Sequence, residues 1–197
     1  MVVIIGLGNP GRSYAETRHN VGFFIVDALS EKLKCRFRPG KGEYVAANCS
    51  FKENEIMLAK PVTSMNESGI AVADIVAQFE VQLERLLIVL DDFQIPLGVL
   101  RMRPSGSDGG HNGLYSVIYH LQSDTVPRLR CGIASKEMPQ DKSLMADFVL
   151  SHFTANEKVA LNEMVSRAAD ACLSFAADGI EKTMSLYNGK GEEKDGI

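Results

Sequence analysis

Apolar residues along this chain fall into two kinds of pattern. Residues 2–5 (Val-Val-Ile-Ile) and 86–90 (Leu-Leu-Ile-Val-Leu) are apolar at every position. Unbroken runs of this length read as strands buried on both faces rather than on one. Elsewhere the period lengthens to that of a helix. Val21, Phe24, Ile25, Ala28, Leu29 and Leu33 predict a helix over residues 21–33. A second helix follows Gly69, with Ile70, Ala73, Val76 and Ala77 inward and Ser64 as its N-cap. A third has Leu114, Val117, Ile118 and Leu121 inward, and a fourth over residues 156–177 buries Val159, Ala160, Met164, Ala168, Cys172 and Phe175.

Residues 44–49 and 56–59 are strand-like and joined across Lys-Glu-Asn-Glu, which predicts an antiparallel hairpin. Residues 99–103 and 128–133 add two further strands, each carrying two arginines on one face (Arg101 and Arg103, Arg128 and Arg130). Residues 93–98 read as a turn, 138–146 as a polar lid-like loop, and 188–197 as a glycine- and charge-rich flexible tail. Buried strands alternating with helices, plus one hairpin, predict a single three-layer α/β domain over residues 1–187. Its central sheet is mixed, mostly parallel, and flanked by helices.

Composition sharpens this picture. With 45% hydrophobic residues among 197, one core is enough. No apolar run reaches the roughly 18 residues of a membrane span, and the short N-terminal run does not resemble a signal peptide. A cytoplasmic protein without a membrane segment is expected. The cysteines Cys35, Cys49, Cys131 and Cys172 show no metal-ligand spacing, so reduced thiols and no metal are expected. The net charge of -4 hides an asymmetry: residues 1–60 carry nine Lys/Arg against six Asp/Glu, and residues 61–100 carry one against six. A local basic surface, rather than the whole protein, is suited to a phosphate backbone. The basic stretch Lys34, Arg36, Arg38, Lys41 reads first as a solvated face.

The chemistry gathers in two glycine loops and one strand end. The first strand runs into Gly6-Leu7-Gly8-Asn9-Pro10-Gly11, followed by Tyr14, Thr17, Arg18, His19 and Asn20. The spacing matches the dinucleotide-binding fingerprint. That reading also requires a helix opening at Gly11 and an acidic residue closing the next strand, and neither is present. The long central strand ends in Asp91-Asp92, and two carboxylates there belong to a site rather than to a surface. The second glycine loop, residues 104–113, contains His111-Asn112.

Five blocks, in order, resemble the bacterial-type peptidyl-tRNA hydrolase family. They are residues 6–22, Pro61 with Met65-Asn66-x-Ser68-Gly69, Asp91-Asp92 before Pro96-Leu97-Gly98, residues 109–113, and Arg128-Leu129-Arg130. The resemblance implies hydrolysis of the ester joining a peptide to the 3′ ribose of tRNA. It implies neither metal, cofactor nor covalent intermediate, and a monomer. By the same resemblance His19 is the base that activates water, Asp91 orients it, and Asn9 is a third catalytic group. Tyr14, Met65, Asn66, Gly109, His111 and Asn112 would line the substrate crevice, and Arg103 and Arg130 would hold the tRNA 5′-phosphate. Arg101 and Arg128 read as solvated neighbours, or as further contacts to the RNA backbone.

The chemistry fits the residues. A histidine titrates near neutral pH, a carboxylate can fix its tautomer, and an uncharged amide suits a peptide backbone or an oxyanion. Three positions depart from the family's pattern: Gln94 replaces a second acid, Asp108 stands beside the expected RNA path, and Ala134 ends the run Gly132-Ile133. The competing reading is a non-catalytic, splicing-factor-like RNA-binding relative. His19, Asp91 and three site asparagines together speak for catalysis.

Overall fold

A computed structural model describes residues 1–188. The strands are β1 (Val2–Gly6), β2 (Arg38–Pro39), β3 (Tyr44–Phe51), β4 (Asn54–Pro61), β5 (Leu86–Pro96), β6 (Leu100–Arg103) and β7 (Arg128–Ala134). The helices are α1 (Val21–Lys32), α2 (Ser68–Phe79), α3 (Asn112–Leu121), α4 (Met145–Val149), α5 (Lys158–Asp178) and α6 (Ile180–Tyr187). All seven strands form one sheet in the order β2-β3-β4-β1-β5-β7-β6. Its centre is parallel: β1 pairs with β4 and β5, and β5 with β7. The pairs β2–β3, β3–β4 and β6–β7 are antiparallel.

The period of two along β1 divides the core into the two outer layers. Val2 and Ile4 pack with α1 and α5, through Val21, Ile25, Met164 and Cys172. Val3 and Ile5 pack with α2 and α3, through Val72, Ile75, Leu114 and Val117. Both strands that are apolar at every position therefore lie at the centre, as their unbroken runs require.

Two glycines set the distance between α1 and the sheet. A Cβ on Gly6 would stand 2.2 Å from the Gly22 carbonyl oxygen, and one on Gly22 would stand 2.5 Å from the carbonyls of Leu7 and Val89. Any larger residue would push the start of α1 away from β1 and β5. The turn just before α1 carries His19.

Several local expectations are corrected. Residues 93–96 continue β5 instead of turning, with a register shift between Asp92 and Pro96. The buried face of α2 is Ser68, Gly69, Ala71, Val72 and Ile75, while Ile70 and Phe79 are exposed. The face is set by Gly69, which lets α2 close on α3: a Cβ there would stand 2.1 Å from the Ser116 carbonyl oxygen, and its N–H donates to Ser116 Oγ at 3.0 Å. Ser64 makes no side-chain cap to the helix backbone; its hydroxyl donates to Glu67 at 2.9 Å. Val159 points outward from α5. The expected lid, residues 138–146, ends in a helix: Met145 and Ala146 open α4, which runs to Val149. The helix α6 was not expected. Asn188 is held by two hydrogen bonds to the Met102 backbone, at 2.6 and 2.9 Å, rather than joining a tail. The rest of the expected tail lies outside the described residues. Among the described residues no helix is long and apolar enough to cross a membrane.

Candidate active site

Alternation along β5 sends Asp91 to the α1 side of the sheet, with Leu87 and Val89, and Asp92 to the other side. Asp91 thereby lies beneath the 3₁₀ turn Arg18–Asn20. His19 Nδ1 stands 2.9 Å from Asp91 Oδ1. His111 Nε2 stands 3.1 Å from the same oxygen, and the two imidazole centroids are 4.8 Å apart.

The tautomers follow from the network. His111 is the N-cap of α3, and its Nδ1 accepts the Leu114 N–H at 3.1 Å. Its proton is therefore on Nε2, which donates to Asp91. The ionised Asp91 oxygen likewise takes the His19 Nδ1–H, which leaves His19 Nε2 with its lone pair.

Burial disfavours the charge on Asp91, but His19 and His111 outweigh it and hold the carboxyl far below its usual range. Burial pulls the His19 pKa down, while the charge and hydrogen bond of Asp91 pull it up; the net shift is upward. The ligand atoms of His19, Asp91 and His111 lie within 4.8 Å of one another, close enough to share a metal. As they stand, His19 Nδ1 and His111 Nε2 are spent on hydrogen bonds to the carboxylate.

A cavity of about 1000 Å³ opens over this cluster. Its wall includes His19, Asp91, Gly109, His111, Asn112 and, from the far side, Met145. Five residues expected in the site thus meet in one cavity. Asn9, Tyr14, Met65 and Asn66 are not in its wall, so the expected crevice is larger than this cavity or divided. Asn9 is nevertheless tied to the cluster. Its backbone N–H donates to Asn20 Oδ1 at 2.8 Å, and Asn20 Nδ2 returns a hydrogen bond to the Asn9 carbonyl at 2.9 Å. Asn9 Oδ1 accepts the Met65 N–H at 2.8 Å, which leaves its NH₂ as the remaining donor. Met65 is buried rather than crevice-lining: a Cβ on Gly113 would meet its sulfur and then His111. Asn66 is exposed beside it, and Tyr14 is exposed in the turn before His19.

Residues 106–110 wrap the other wall. Gly109 has φ +63, which strains any side chain, and a Cβ there would stand 3.0 Å from Arg130 Nη2. Gln94, the departure from a second acid, donates to the Gly109 carbonyl at 2.9 Å and so holds this loop. Asp108 folds back on its own loop and accepts the Gly110 N–H at 2.8 Å.

The arginines of β6 and β7 pair across the strands, Arg101 opposite Arg130 and Arg103 opposite Arg128, on one face. Arg101 and Arg103 are exposed, and Arg130 is half-buried and ion-paired to Asp92. Arg128 is not a solvated neighbour. It is 2% exposed and donates to the carbonyls of Val126, Gly106, Ser107 and Asp124. That guanidinium ties the glycine loop to β7.

Sequence reasoning left Arg18 out of the site. It is fully buried and forms a bidentate pair with Glu157 at 2.9 and 2.8 Å, with its guanidinium against the rings of Phe148 and Phe153. The Arg18 N–H also donates to the Ser151 carbonyl at 3.0 Å. The turn that carries His19 is thereby fixed to the segment after α4, whose residues Met145 and Val149 line the cavity. The signal was an arginine beside His19; its partner is 139 positions away. Asn20, which positions Asn9, likewise carries no signal of that role in the sequence.

An imidazole–carboxylate pair at the carboxyl ends of parallel strands, in a three-layer α/β fold, is an arrangement suited to acid–base chemistry. The sequence model described as peptidyl-tRNA hydrolase matches residues 3–195. This chain belongs to the peptidyl-tRNA hydrolase family. It is 44% identical over 189 residues to a peptidyl-tRNA hydrolase of Thermoanaerobacter sp., covering 96% of this chain and all of that one. It is 41% identical over 188 residues to that of Chlorobaculum parvum, covering 95% and 98%. The crystal structure of peptidyl-tRNA hydrolase from Acinetobacter baumannii superposes with a TM-score of 0.89 at 30% identity, covering 96% of this chain and 95% of that chain.

Proposed function

We propose that this chain hydrolyses the ester between peptide and tRNA in peptidyl-tRNA, with water as nucleophile and His19 as the base. The observation that carries the mechanism is the His19 Nδ1–Asp91 Oδ1 hydrogen bond at 2.9 Å, which leaves Nε2 to take a proton from water. Asp91, held ionised, stabilises the imidazolium that forms. Imidazolium then returns the proton to the leaving ribose oxygen. The free NH₂ of Asn9 and the amide of Asn112 donate to the oxyanion and to the peptide backbone. Asn66 and Tyr14 contact the substrate from the side of Asn9. Met65 fixes Asn9, Gly109 lets RNA approach the loop, and His111 holds Asp91.

Arg103 and Arg130 receive the 5′-phosphate of the acceptor stem on the exposed face of β6–β7, where a guanidinium pair suits a phosphate. The reaction uses no cofactor and no metal. The working form on this reading is a monomer in the cytoplasm. The fold unit is residues 1–187, with Asn188 bound to it through the Met102 backbone.

The test is His19→Ala assayed on peptidyl-tRNA. Its kcat falls about 10²–10⁴-fold, while uncleaved substrate binds as it does to the wild type. Adding Asp91→Asn costs little more, because the two act as one unit. Full activity in His19→Ala would refute the mechanism.

A further inference from the structure

Cys35 follows α1, and Cys49 lies on β3, facing Cys35 across the edge of the sheet. Their sulfurs are 3.0 Å apart. The other two cysteines, Cys131 and Cys172, are fully buried, whereas Cys35 and Cys49 are both partly exposed. Cys35 is also held on its backbone: its N–H donates to the Ser30 carbonyl at 3.0 Å, and Ser30 Oγ donates to the Cys35 carbonyl at 2.7 Å. Cys49 is fixed by the ladder between β3 and β4, opposite Ile56. Two anchored sulfurs in contact need about 1 Å of approach to reach the disulfide bond length of about 2.05 Å.

The surroundings supply access. Cys35 lines a groove of about 780 Å³ whose wall also carries Lys34, Arg36, Arg38 and Lys41, and no acidic residue. These cations attract an anionic co-reactant to the segment beside Cys35. Burial and the neighbouring Cys35 sulfur push the Cys49 thiol up, so Cys49 resolves and does not attack first.

We infer that Cys35 and Cys49 are a thiol pair that oxidises reversibly to an intramolecular disulfide, with a small anionic disulfide of the glutathione class as electron acceptor. The Cys35 thiolate attacks one sulfur of the small disulfide. That bond breaks, a mixed disulfide forms on Cys35, and the first small thiol leaves with the proton Cys35 gave up. Cys49 then loses its proton to water and attacks Cys35 Sγ. The second small thiol leaves and takes up a proton. Two electrons pass from the pair to the small disulfide, which ends as two thiols.

The bond stays clear of catalysis. Cys49 is level with Ile56, which is level with Val2 at the start of β1, whereas His19 and Asp91 stand at the other end of the sheet. What the bond confers is a staple around the edge strand β2, closing the segment that carries the groove's cations.

The test incubates the folded protein with oxidised glutathione, quenches in acid, alkylates in denaturant and maps the peptides. The expected result is one linked pair, Cys35 to Cys49, two hydrogens lighter than the reduced form, with Cys131 and Cys172 alkylated. The oxidised protein melts roughly 5–10 °C higher, reverts with dithiothreitol, and hydrolyses peptidyl-tRNA within twofold of the reduced form. Cys35→Ser and Cys49→Ser each abolish both the link and the shift. Persistent glutathione on Cys35 without the link, four alkylated cysteines, or a link through Cys131 or Cys172 would each overturn the inference.

Discussion

His19 and His111 share a single acceptor. Nδ1 of one and Nε2 of the other reach the same oxygen of Asp91, at 2.9 and 3.1 Å. Asp91 is therefore more than the partner of one base. Its ionisation, and through it the basicity of His19, depends on how both imidazoles are held.

Catalysis by His19 requires the neutral ring, and Asp91 raises its pKa above the ordinary histidine value against burial. Activity therefore rises with pH through an acid limb lying above about 6.5. In Asp91→Asn the upward pull is lost and burial remains, so the limb moves to lower pH while the plateau falls. A profile of kcat/KM against pH checks both. An unmoved limb would mean that another group controls it.

His111 can be separated from its capping role. His111→Asn keeps a good N-cap for α3 but is too short to reach Asp91. Asp91 then has one partner and acts more strongly on His19, so the acid limb moves to higher pH. Stability falls by about 1.5–3 kcal/mol, the worth of the lost hydrogen bond to the charged Asp91, with the cap itself preserved. A loss of stability as large as that of His111→Ala, with no change in the profile, would make His111 a cap only.

Arg18 and Glu157 are a buried pair, so removing one partner strands the other. Glu157→Gln is expected to cost about 3–5 kcal/mol in urea unfolding. Burial alone would raise the Glu157 pKa, but Arg18, Ser135 and Thr154 hold it down to about 2. A depressed carboxylate contributes stability above its unfolded value, about 4.3, and loses that contribution as pH falls toward 2. Wild-type stability should therefore fall over that window, and Glu157→Gln should fall less. Equal slopes would place the acid sensitivity elsewhere.

On the basic face, Arg103→Ala is the cleaner probe, since Arg103 is exposed and Arg130 also neutralises Asp92. Loss of Arg103 should raise KM for peptidyl-tRNA roughly tenfold, about one charge-assisted contact, and leave kcat nearly unchanged. The slope of binding against salt should fall by about one phosphate. Arg130→Ala should add a stability loss. A short ester without the 5′-phosphate should not respond to Arg103→Ala; an equal loss on it would make that arginine structural.

The sequence by itself determined the layer architecture, because buried strands and helices leave periods of one, two and 3.6 that need no partner to be read. It also determined which segments bear the chemistry: glycine loops cannot be regular, and Asp91 ends an apolar run. Local pattern failed where the period met a neighbour. The buried face of α2 turns on Gly69, which closes on Ser116 of α3, and Arg128 is a buried strut because four carbonyls of the loops beside it converge on its guanidinium. Only the tertiary structure decided that His19 and His111 meet on one carboxylate from 72 and 20 positions away, and that Arg18 finds Glu157 across 139. Such separations are closed by strand register, by crossovers and by the close approach of Gly6 and Gly22. Those are properties of the assembled chain, and no window along the sequence contains both partners.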